Sequence, residues 1–337
     1  MKVSVICPIF NEEKYIEKCI QSVIDSDFPK DEMELLLIDG GSVDRTPEII
    51  KNFSGKYNWI KFLHNPERIV PYALNIGIKE SKGQYVIRID AHANYPVNYF
   101  SVLVSKIEEY QCDNVGGVVM TLPADDSAKS TAIALALSCS FGMGNSHFRI
   151  GATGERKVDT VPFGCFRREI FDKIGMFDVE LVRNQDDEFN GRIVKNGGTI
   201  YLIPSLEISY MARASFSKVK SMFFQYGLFK PLVCKKLGSP ATLRQLVPPA
   251  FAAGLIGGAL LAPWHWLLAL AYGCGVGMYV LIALFVSLSL SIKHKRAAVF
   301  PYLFGCFFVI HLAYGIGYWE GIFKVLTKKP FNVKCNH

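Results

Sequence analysis

The feature that most constrains the fold is a run of 47 consecutive residues, Leu246–Ile292, that contains no Asp, Glu, Lys or Arg. A membrane-spanning helix needs about 20 apolar residues, so this run predicts two such helices. After the cluster Lys293-His294-Lys295-Arg296, the 23 residues of Ala297–Trp319 form a third candidate. A buried helical hairpin of a soluble protein is the alternative, but soluble helices rarely lack a polar face over such lengths. We therefore predict three transmembrane helices within residues 246–320, at about 246–263, 266–290 and 297–319.

The net charge of the chain lies in this apolar part. From Ala241 onward, Glu320 is the only acidic residue against eight basic ones, whereas the first 240 residues hold 29 acidic and 29 basic residues. Basic residues that punctuate an apolar segment favour the surface of anionic lipid rather than nucleic acid. The first part is an electrically balanced globular domain.

The same charges predict the orientation of the helices. Arg244 and the Lys293–Arg296 cluster satisfy the positive-inside preference if both lie in the cytosol, with Trp264 and Trp266 near the opposite surface. The third span would then export the basic tail, residues 321–337, which the same preference disfavours. A re-entrant first stretch is the alternative, but it would leave the Lys293–Arg296 cluster outside. We predict three full spans with the tail outside.

Nine cysteines are scattered along the chain and include no C-x-x-C pair. Their odd number and irregular spacing predict neither a disulfide framework nor a zinc site, and favour a reducing compartment. The apolar run Val3–Cys7 is too short for the core of a secretory signal peptide. We therefore expect a multi-pass protein of the cell (inner or plasma) membrane whose amino-terminal domain is cytosolic.

The first ninety residues alternate between strand-like and helix-like patterns. Strand patterns occur at Lys2–Pro8, Glu34–Asp39, Ile60–Leu63 and Tyr85–Asp90. Helix patterns lie between them, at Tyr15–Ile24, from Thr46-Pro47 onward and near Pro71–Glu80. This alternation with short connections predicts an α/β domain, residues 1–212, with a mainly parallel sheet and helices on both faces.

Residues 213–245 form a separate region between this domain and the apolar run. Within it, Ser215–Leu237 interleaves large apolar residues such as Phe223 and Phe229 with five lysines. A basic amphipathic helix of this kind can lie in the cytosolic interface of a membrane. A core helix of the first domain has the same pattern, and the sequence leaves both alternatives open.

Three aspartates fall at or just after the carboxyl ends of predicted strands, where ligands bind in open α/β sheets. Asp39 closes a strand and precedes Gly40-Gly41-Ser42, Asp44 follows in the same loop, and Asp90 ends the strand that begins at Tyr85. Each has an ordinary explanation, because Asp-Gly is a common turn and Asp44 could cap the next helix. Their placement on one sheet edge favours a binding site.

Asp90-Ala91-His92 places a carboxylate and an imidazole two residues apart. Both groups can bind a divalent ion that bridges a diphosphate. Magnesium prefers oxygen ligands, whereas manganese tolerates imidazole better, so the pair predicts a site for Mn2+ or Mg2+. A lone histidine is more often a hydrogen-bonded loop residue, and the spacing from Asp90 is what favours a ligand.

A second acidic cluster, Asp186-Asp187-Glu188, stands at the start of a predicted helix. The simple explanation is that acidic residues complement the helix dipole. The functional one is a general base that takes the proton of an acceptor hydroxyl as its oxygen attacks the anomeric carbon of a sugar. Phe189 and Ile193 would then anchor the helix and hold Asp186 at the cleft.

Five motifs, in order along the chain, give it a resemblance to a known family. They are Val5-Ile6-Cys7-Pro8-Ile9-Phe10-Asn11-Glu12, Ile38-Asp39-Gly40-Gly41-Ser42-Val43-Asp44-Arg45-Thr46, Asn75-Ile76-Gly77, Asp90-Ala91-His92 and Gln185-Asp186-Asp187-Glu188. Across roughly residues 2–235 the chain resembles glycosyltransferase family 2, the inverting enzymes of the GT-A fold. Arg68-Ile69-Val70-Pro71, with Asp-Ala-His, is similar to the exopolysaccharide glucosyltransferase subgroup typified by succinoglycan biosynthesis.

The resemblance implies a donor site in which four residues surround the nucleoside and one of them, Asp39, faces the uracil. The four are Pro8, Glu12, Asp39 and Asp44. The donor would then be a nucleoside-diphosphate sugar, a UDP-sugar. The acceptor would be a hydroxyl of a lipid-linked or growing saccharide in exopolysaccharide or cell-surface glycan synthesis.

The resemblance also implies the residues of the metal and the base. Asp90 and His92 stand where the family's D-x-D motif holds ribose, diphosphate and metal. Asp186 matches the catalytic base, with Asp187 as its competitor. The chain departs from the family at His92, which replaces an aspartate, and at Gln185, which replaces a glutamate.

Two alternatives to transfer onto a saccharide remain. Direct transfer to polyprenyl phosphate would also suit an enzyme with membrane helices. A catalytically inactive scaffold subunit of a polysaccharide-assembly complex is the alternative of another class, suggested by the departures at His92 and Gln185. The resemblance allows other polysaccharide-assembly proteins as partners in each case.

Overall fold

The computed structural model describes residues 1–238 and 242–331. The chain divides into two compact units. Among the described residues, the first unit consists of Met1–Met120 and Gly151–Tyr210, and the second of Thr121–Ile150 and of the residues from Met211 to Phe331. The second unit thus includes Thr121–Ile150, a segment inside the domain predicted as residues 1–212.

Two short parts of the predicted regions lie outside the described residues. They are residues 239–241 of the region 213–245, and residues 332–337, with Lys334, of the basic tail.

Nine strands, counted within the described ranges, form one sheet in the order β3-β2-β1-β4-β8-β6-β9-β5, with β7 paired to β9. They are β1 (Val3–Ile9), β2 (Met33–Asp39), β3 (Ile60–His64), β4 (Tyr85–Arg88), β5 (Ala93–Asn94), β6 (Asn114–Leu122), β7 (Arg156–Lys157), β8 (Cys165–Arg167) and β9 (Ile200–Met211).

Thirteen α-helices accompany the sheet within the same ranges. They are α1 (Ile16–Ile24), α2 (Thr46–Lys56), α3 (Val70–Glu80), α4 (Tyr99–Glu109), α5 (Ala128–Leu137), α6 (Ser140–Met143), α7 (His147–Ile150), α8 (Glu169–Ile174), α9 (Gln185–Lys195), α10 (Phe216–Leu237), α11 (Val247–Leu261), α12 (Trp266–Lys293) and α13 (Phe300–Thr327).

The parallel half of the sheet is the part that the sequence predicted. β1 pairs in parallel with β2 and β4, and β2 pairs in parallel with β3. The apolar run Leu35–Ile38 of β2 is fully buried, as expected for a strand covered on both faces. Helix α3 packs closely on this half, because a Cβ added at Gly77 would lie 2.9 Å from Cγ2 of Ile6. The predicted mainly parallel sheet with flanking helices is confirmed.

The other half of the sheet contains antiparallel pairs. β8 runs antiparallel to both β4 and β6, and β9 pairs antiparallel with the two-residue strands β5 and β7. The strand-helix alternation used for the prediction covers only the first ninety residues, so it did not predict these antiparallel pairs.

The second unit contains three helices that are long and apolar enough to cross a membrane. They cover Leu243–Trp264, Trp266–Lys293 and Ala297–Thr327 among the described residues. The first two agree with the predicted spans to within a few residues, and the third continues beyond its predicted end at Trp319.

Helix α10 belongs to this second unit. Its apolar face contributes to a core shared with α5 and α13, so α10 is a core helix of the second unit rather than of the first. The core includes Ile133, Leu137, Val219, Phe223, Leu303 and Phe307.

Candidate active site

The carboxyl ends of the parallel strands bring the predicted donor-site residues to one edge of the sheet. In the register of β1 and β2, Pro8 lies opposite Ile38 and Ile9 lies opposite Asp39. Asp90 follows β4, the other neighbour of β1, two residues after the strand ends at Arg88. The predicted strand to Asp90 is therefore two residues too long, while the shared edge is as expected.

The loops after β1 and β2 interlock through side-chain to backbone hydrogen bonds. The Asn11 N–H donates to Ser42 Oγ (2.8 Å), and the Val43 N–H donates to Asn11 Oδ1 (2.9 Å). Asn11 has φ 53°, a left-handed conformation that asparagine tolerates better than most residues. The two loops therefore form one rigid rim.

The Asp39 carboxylate shapes this rim from inside. It is 3% exposed and accepts hydrogen bonds from Ser42 Oγ (2.5 Å) and from the Gly41 N–H (3.1 Å). Gly41 has φ +80°, where a side chain would be strained. Arg68, a residue of the motif Arg68-Ile69-Val70-Pro71, lies beside the turn, with Nε 3.8 Å from the position of a Cβ at Gly41.

Asp44 joins the rim to the start of α2. Its carboxylate accepts hydrogen bonds from the Thr46 N–H (3.0 Å) and the Glu13 N–H (3.1 Å). Burial raises the pKa of Asp44, but the hydrogen bonds from Thr46 and Glu13 outweigh it and hold the pKa below its usual value. Asp44 is thus a stable anion at the edge.

His92 pairs with Glu12, which the resemblance had placed at the nucleoside. His92 Nδ1 lies 3.0 Å from Oε1 of Glu12, and the His92 ring lies 5.8 Å from the ring of Tyr210. A carboxylate on Nδ1 favours the tautomer with the proton there, so that Nε2 carries the lone pair that binds metals. Glu12 therefore orients His92 in the way that metal-binding histidines are oriented.

The donor set suits a metal only together with the substrate. Within residues 1–238 and 242–331 no group of three or more His, Cys, Asp or Glu side chains is arranged to hold an ion. A magnesium-type site often uses one or two protein ligands and completes its shell with substrate phosphates and water. Asp90 and His92 fit that arrangement, and the imidazole favours manganese.

Arg88, which no sequence motif indicated, connects Asp90 to the acidic cluster at the start of α9. It is 6% exposed, donates from Nη2 to Asp90 Oδ1 (3.1 Å), and donates from Nη1 to Asp186 Oδ1. Burial lowers the pKa of Arg88, but the charges of Asp186 and Asp90 outweigh it and raise the pKa. A charged residue at the end of an otherwise apolar strand was the available signal.

Asp186 is held at the start of α9 by a well-packed helix. Phe189 and Ile193 are fully buried, and the Phe189 ring stacks on Phe177 at 4.5 Å. The predicted anchoring is confirmed. The Asp186 side chain is 34% exposed. Burial raises its pKa, Arg88 lowers it, the charges of neighbouring carboxylates raise it again, and the net direction is upward.

Glu188, the third acid of this cluster, has a structural role. Its carboxylate pairs with Arg192 (Nε to Oε1, 2.6 Å), which also donates to the backbone oxygens of Ile174 and Met176. Asn75 of the third motif exchanges two hydrogen bonds with the backbone of Phe177, at 2.9 and 3.0 Å. These contacts fix the position of α9.

Comparison with known proteins gives the family of this chain. A model described as "Glycosyl transferase family 2" matches residues 4–175. The dolichyl N-acetyl-alpha-D-glucosaminyl phosphate 3-beta-D-2,3-diacetamido-2,3-dideoxy-beta-D-glucuronosyltransferase of Methanococcus voltae is 34% identical over 245 residues, covering 69% of this chain and 74% of that protein. The succinoglycan biosynthesis protein ExoA of Rhizobium meliloti strain 1021 is 29% identical over 318 residues, covering 94% of this chain and 93% of that protein.

A solved structure extends the similarity to the fold. The mannosyltransferase PcManGT from Pyrobaculum calidifontis, in complex with GDP-Man and Mn2+, aligns with a TM-score of 0.61 at 18% identity. The alignment covers 97% of this chain and 88% of that chain. At this identity the likeness establishes the fold alone.

Proposed function

Because the chain belongs to glycosyltransferase family 2 and has the GT-A fold, we propose that it transfers a sugar from a nucleoside-diphosphate sugar to a saccharide hydroxyl with inversion. The observation that carries the proposal is Arg88, whose guanidinium holds Asp90 and Asp186 at one point of the sheet edge. We assign Asp90 to the binding of the donor's diphosphate and Asp186 to the acceptor hydroxyl, as its base.

The donor side is the rim formed by the loops after β1 and β2. We place the nucleoside against Pro8, Glu12, Asp39 and Asp44, and propose a UDP-sugar. The dense hydrogen bonding of Asp39 and Asp44 supports a preformed rim, which lowers the cost of ordering on binding. Arg68 beside the Gly41 turn adds a positive charge to the rim, which suits an anionic donor.

The diphosphate side would use Asp90 and His92. A divalent ion bound there with the diphosphate supplies positive charge where negative charge develops on the leaving group. Glu12 keeps His92 in the metal-binding tautomer, and Arg88 fixes the Asp90 carboxylate. These residues would hold and orient the donor before the acceptor arrives.

The bond changes follow from the position of Asp186. The acceptor oxygen attacks the anomeric carbon, the bond from that carbon to the diphosphate breaks, and the acceptor proton passes to Asp186. A single displacement inverts the configuration. The upward-shifted pKa of Asp186 supports this role, because a general base works best when its pKa lies nearer the working pH than that of an ordinary carboxylate.

The acceptor we propose is a lipid-linked saccharide. The long apolar helices of the second unit suit an amphiphilic acceptor, and the name of the Methanococcus voltae relative describes a dolichyl-linked N-acetylglucosaminyl phosphate as its acceptor. The ExoA relative, named for succinoglycan biosynthesis, supports exopolysaccharide or cell-surface glycan synthesis. We propose the cell membrane as the location, with the first unit in the cytoplasm.

The test is to incubate membranes containing the chain with a panel of labelled UDP- and GDP-sugars and to extract lipid. We expect label from a UDP-sugar in a lipid-linked saccharide whose new bond is inverted by NMR. Label from a GDP-sugar alone would overturn the choice of uridine as the nucleoside of the donor. Label on polyprenyl phosphate alone would establish the alternative acceptor. If neither transfer nor slow donor hydrolysis is detected, the chain is the inactive scaffold.

A further inference from the structure

Helices α11 and α12 form an antiparallel hairpin with two distinct ends. The ring of Phe251 stacks on that of Tyr279 at 4.2 Å. Phe251 lies 13 residues before Trp264, and Tyr279 lies 13 residues after Trp266, which is roughly 20 Å of helix in each case. One end of this membrane hairpin therefore carries Trp264 and Trp266. The other, which we call the basic end, carries Arg244 and the Lys293–Arg296 turn.

The basic end is fixed to polar backbone within the second unit. Arg296 donates from Nη2 to the carbonyl oxygen of Asp126 (2.7 Å) and from Nη1 to Thr131 Oγ1 (2.9 Å). Just before the other helix of the hairpin, Arg244 donates to the carbonyl oxygen of Asn145 (2.8 Å). Both chain ends of the hairpin are thus tied to the segment Thr121–Ile150.

Helix α13 begins at the basic end and reaches the level of the Phe251–Tyr279 stack, where His311 Nδ1 lies 2.9 Å from the Tyr279 hydroxyl. It has advanced no further towards Trp264 at Trp319, 19 residues after its start. Trp319 Nε1 donates to the carbonyl oxygen of Pro249, in the first turn of α11 (2.9 Å). Gly315 packs on the carbonyl of Pro248, where an added Cβ would lie 2.5 Å from the oxygen. A helix rises roughly 28 Å over 19 residues, nearly the full hydrocarbon thickness of about 30 Å. A spanning α13 would have carried Trp319 towards Trp264 instead.

Helix α10 runs alongside α13 in the same direction. The ring of Phe216 lies 6.4 Å from that of Tyr302 near one end, and the ring of Phe229 lies 5.4 Å from that of Phe331 near the other. Between these contacts, Gly317 and Gly321 of α13 lie against the backbone of α10, which explains how the two helices approach so closely.

The connection from α10 to α11 limits where this helix pair can end. Leu237 closes α10, and the turn that leads into α11 begins at Leu243, six residues later. Six residues reach roughly 20 Å at full extension, which is less than a membrane crossing. The carboxyl end of α10, and with it the end of α13, therefore stays within reach of the basic end.

We propose that the chain crosses the membrane twice, through α11 and α12, and that the pair α10–α13 lies in the interface of the leaflet at the basic end. The partner is an anionic lipid surface. Exposed apolar side chains of α13 would enter the acyl boundary, and exposed lysines of α10 and of the residues after α13 would meet the headgroups. The apolar side chains are Tyr302, Ile316, Trp319, Phe323 and Leu326. The lysines are Lys218, Lys220, Lys235, Lys328 and Lys329.

This arrangement differs from the three full spans predicted from the sequence. It keeps Lys324, Lys328 and Lys329 on the side that holds Arg244 and the Lys293–Arg296 turn, so the positive-inside preference no longer conflicts with itself. Length and composition alone could not reveal this, because a long apolar helix suits an interface as well as a crossing when a second helix covers one of its faces.

The test is cysteine labelling of the full chain in intact cells, with all native cysteines replaced. A reporter is placed at one of three positions: Lys329→Cys, His294→Cys at the basic end, or His265→Cys at the tryptophan end. We expect an impermeant maleimide to label His265→Cys in intact cells, and Lys329→Cys and His294→Cys only after permeabilisation. Labelling of Lys329→Cys together with His265→Cys would overturn the proposal.

A second measurement holds if cysteine replacement disturbs the fold, because the reporters can then be added to the native chain with its background reactivity subtracted. Nitroxides at Leu326→Cys and His265→Cys, both exposed positions, are compared for reduction by ascorbate added outside right-side-out vesicles that contain anionic lipid. We expect ascorbate to reduce the label at His265→Cys and to spare the label at Leu326→Cys. Reduction of both labels would establish a third span.

Discussion

The two units are assembled by different contacts. In the first unit, charged side chains from distant parts of the chain meet where strands end, as when Arg88 joins Asp90 and Asp186. In the second unit, helices meet through their backbones, as where Gly317 and Gly321 lie against α10. The first kind of contact depends on charge, so the replacement of a single charged atom weakens it strongly. The second kind depends on shape, so an added methyl group weakens it.

This difference follows from the medium, water or lipid, from which the side chains of each unit are removed when it assembles. In water, burying Arg88 is tolerated only because two carboxylates compensate its charge. In lipid, apolar side chains gain little by meeting one another, so close backbone approach at small residues contributes more to helix association. Variants that change charge should therefore have their main effects in the first unit, and variants that change volume should have theirs in the second.

The largest effect is expected for Asp186→Asn. Asparagine keeps the shape of the side chain and can still accept a hydrogen bond from Arg88, but it cannot take the acceptor proton. We expect transfer to fall by roughly 10²–10⁴-fold, as is typical for loss of a general base, with nucleotide affinity changed no more than a few-fold. Single-turnover transfer and donor titration measure the two quantities.

Asp187→Asn is the matched control, one residue along the same helix. It should keep most of the transfer rate. If Asp187→Asn is inactive while Asp186→Asn turns over normally, the base is Asp187 and the bridge through Arg88 serves only to position the helix.

The second expected effect lies in the helical unit. A methyl group in Gly321→Ala would overlap the carbonyl oxygen of Leu228 and approach Pro231, both on α10. Overpacking of this kind costs about 1–3 kcal/mol. We expect a smaller fraction of monodisperse protein after heating in detergent, measured by size-exclusion chromatography.

Gly254→Ala in α11 adds the same methyl group where no atom beyond the adjoining backbone of its own helix lies within 4 Å. It should leave thermal stability unchanged or raise it, because alanine favours helix more than glycine. Equal losses in Gly254→Ala and Gly321→Ala would mean that the close approach of α10 and α13 does not stabilise the unit.

The third prediction concerns the partner of a proposed metal ligand. Glu12→Gln keeps a hydrogen-bond acceptor 3.0 Å from His92 Nδ1 but removes the charge that raises the basicity of the imidazole. Loss of such an outer partner typically weakens metal binding about 10–100-fold. Manganese titration of donor binding should show the shift, and excess EDTA should abolish binding in the wild-type chain.

Full donor binding in EDTA would contradict the metal role of Asp90 and His92. An unchanged manganese affinity in Glu12→Gln, together with weaker donor binding at saturating manganese, would show that Glu12 acts through the proposed nucleoside contact and not through His92.

The sequence predicted the parallel half of the sheet well because its signals are local. The run Leu35–Ile38 is buried on both faces, and such a run is recognisable without knowing its neighbours. Arg88 was not predicted because its role depends on a contact with Asp186, which is 98 residues away in the sequence. The contacts of α13 with α10 and with Pro249 could not be predicted for a related reason, because hydropathy does not show which distant residues a helix will meet.

The smallest effect is expected at Glu34, at the end of the sheet opposite the site. The carboxylate is 1% exposed and accepts hydrogen bonds from Ser4 Oγ (2.7 Å), Lys61 Nζ (2.6 Å) and the Lys82 N–H (2.6 Å). Burial raises the pKa of Glu34, but these bonds outweigh it and lower the pKa. A lowered folded pKa stabilises the protein above the unfolded value of about 4.3. That stability is lost as the pH falls through the folded pKa.

We therefore expect Glu34→Gln to lower the free energy of unfolding by about 1 kcal/mol near neutral pH, the usual contribution of such a hydrogen bond, with the difference shrinking below about pH 4. Glu48→Gln is the control, because its pair with Arg45 is exposed, at 61% and 73%, and pairs of that kind contribute little. Pulse proteolysis of the first unit across a urea series measures both. A pH-independent loss in Glu34→Gln would show that packing, rather than charge, is what Glu34 supplies, and that the two units differ less than their contacts indicate.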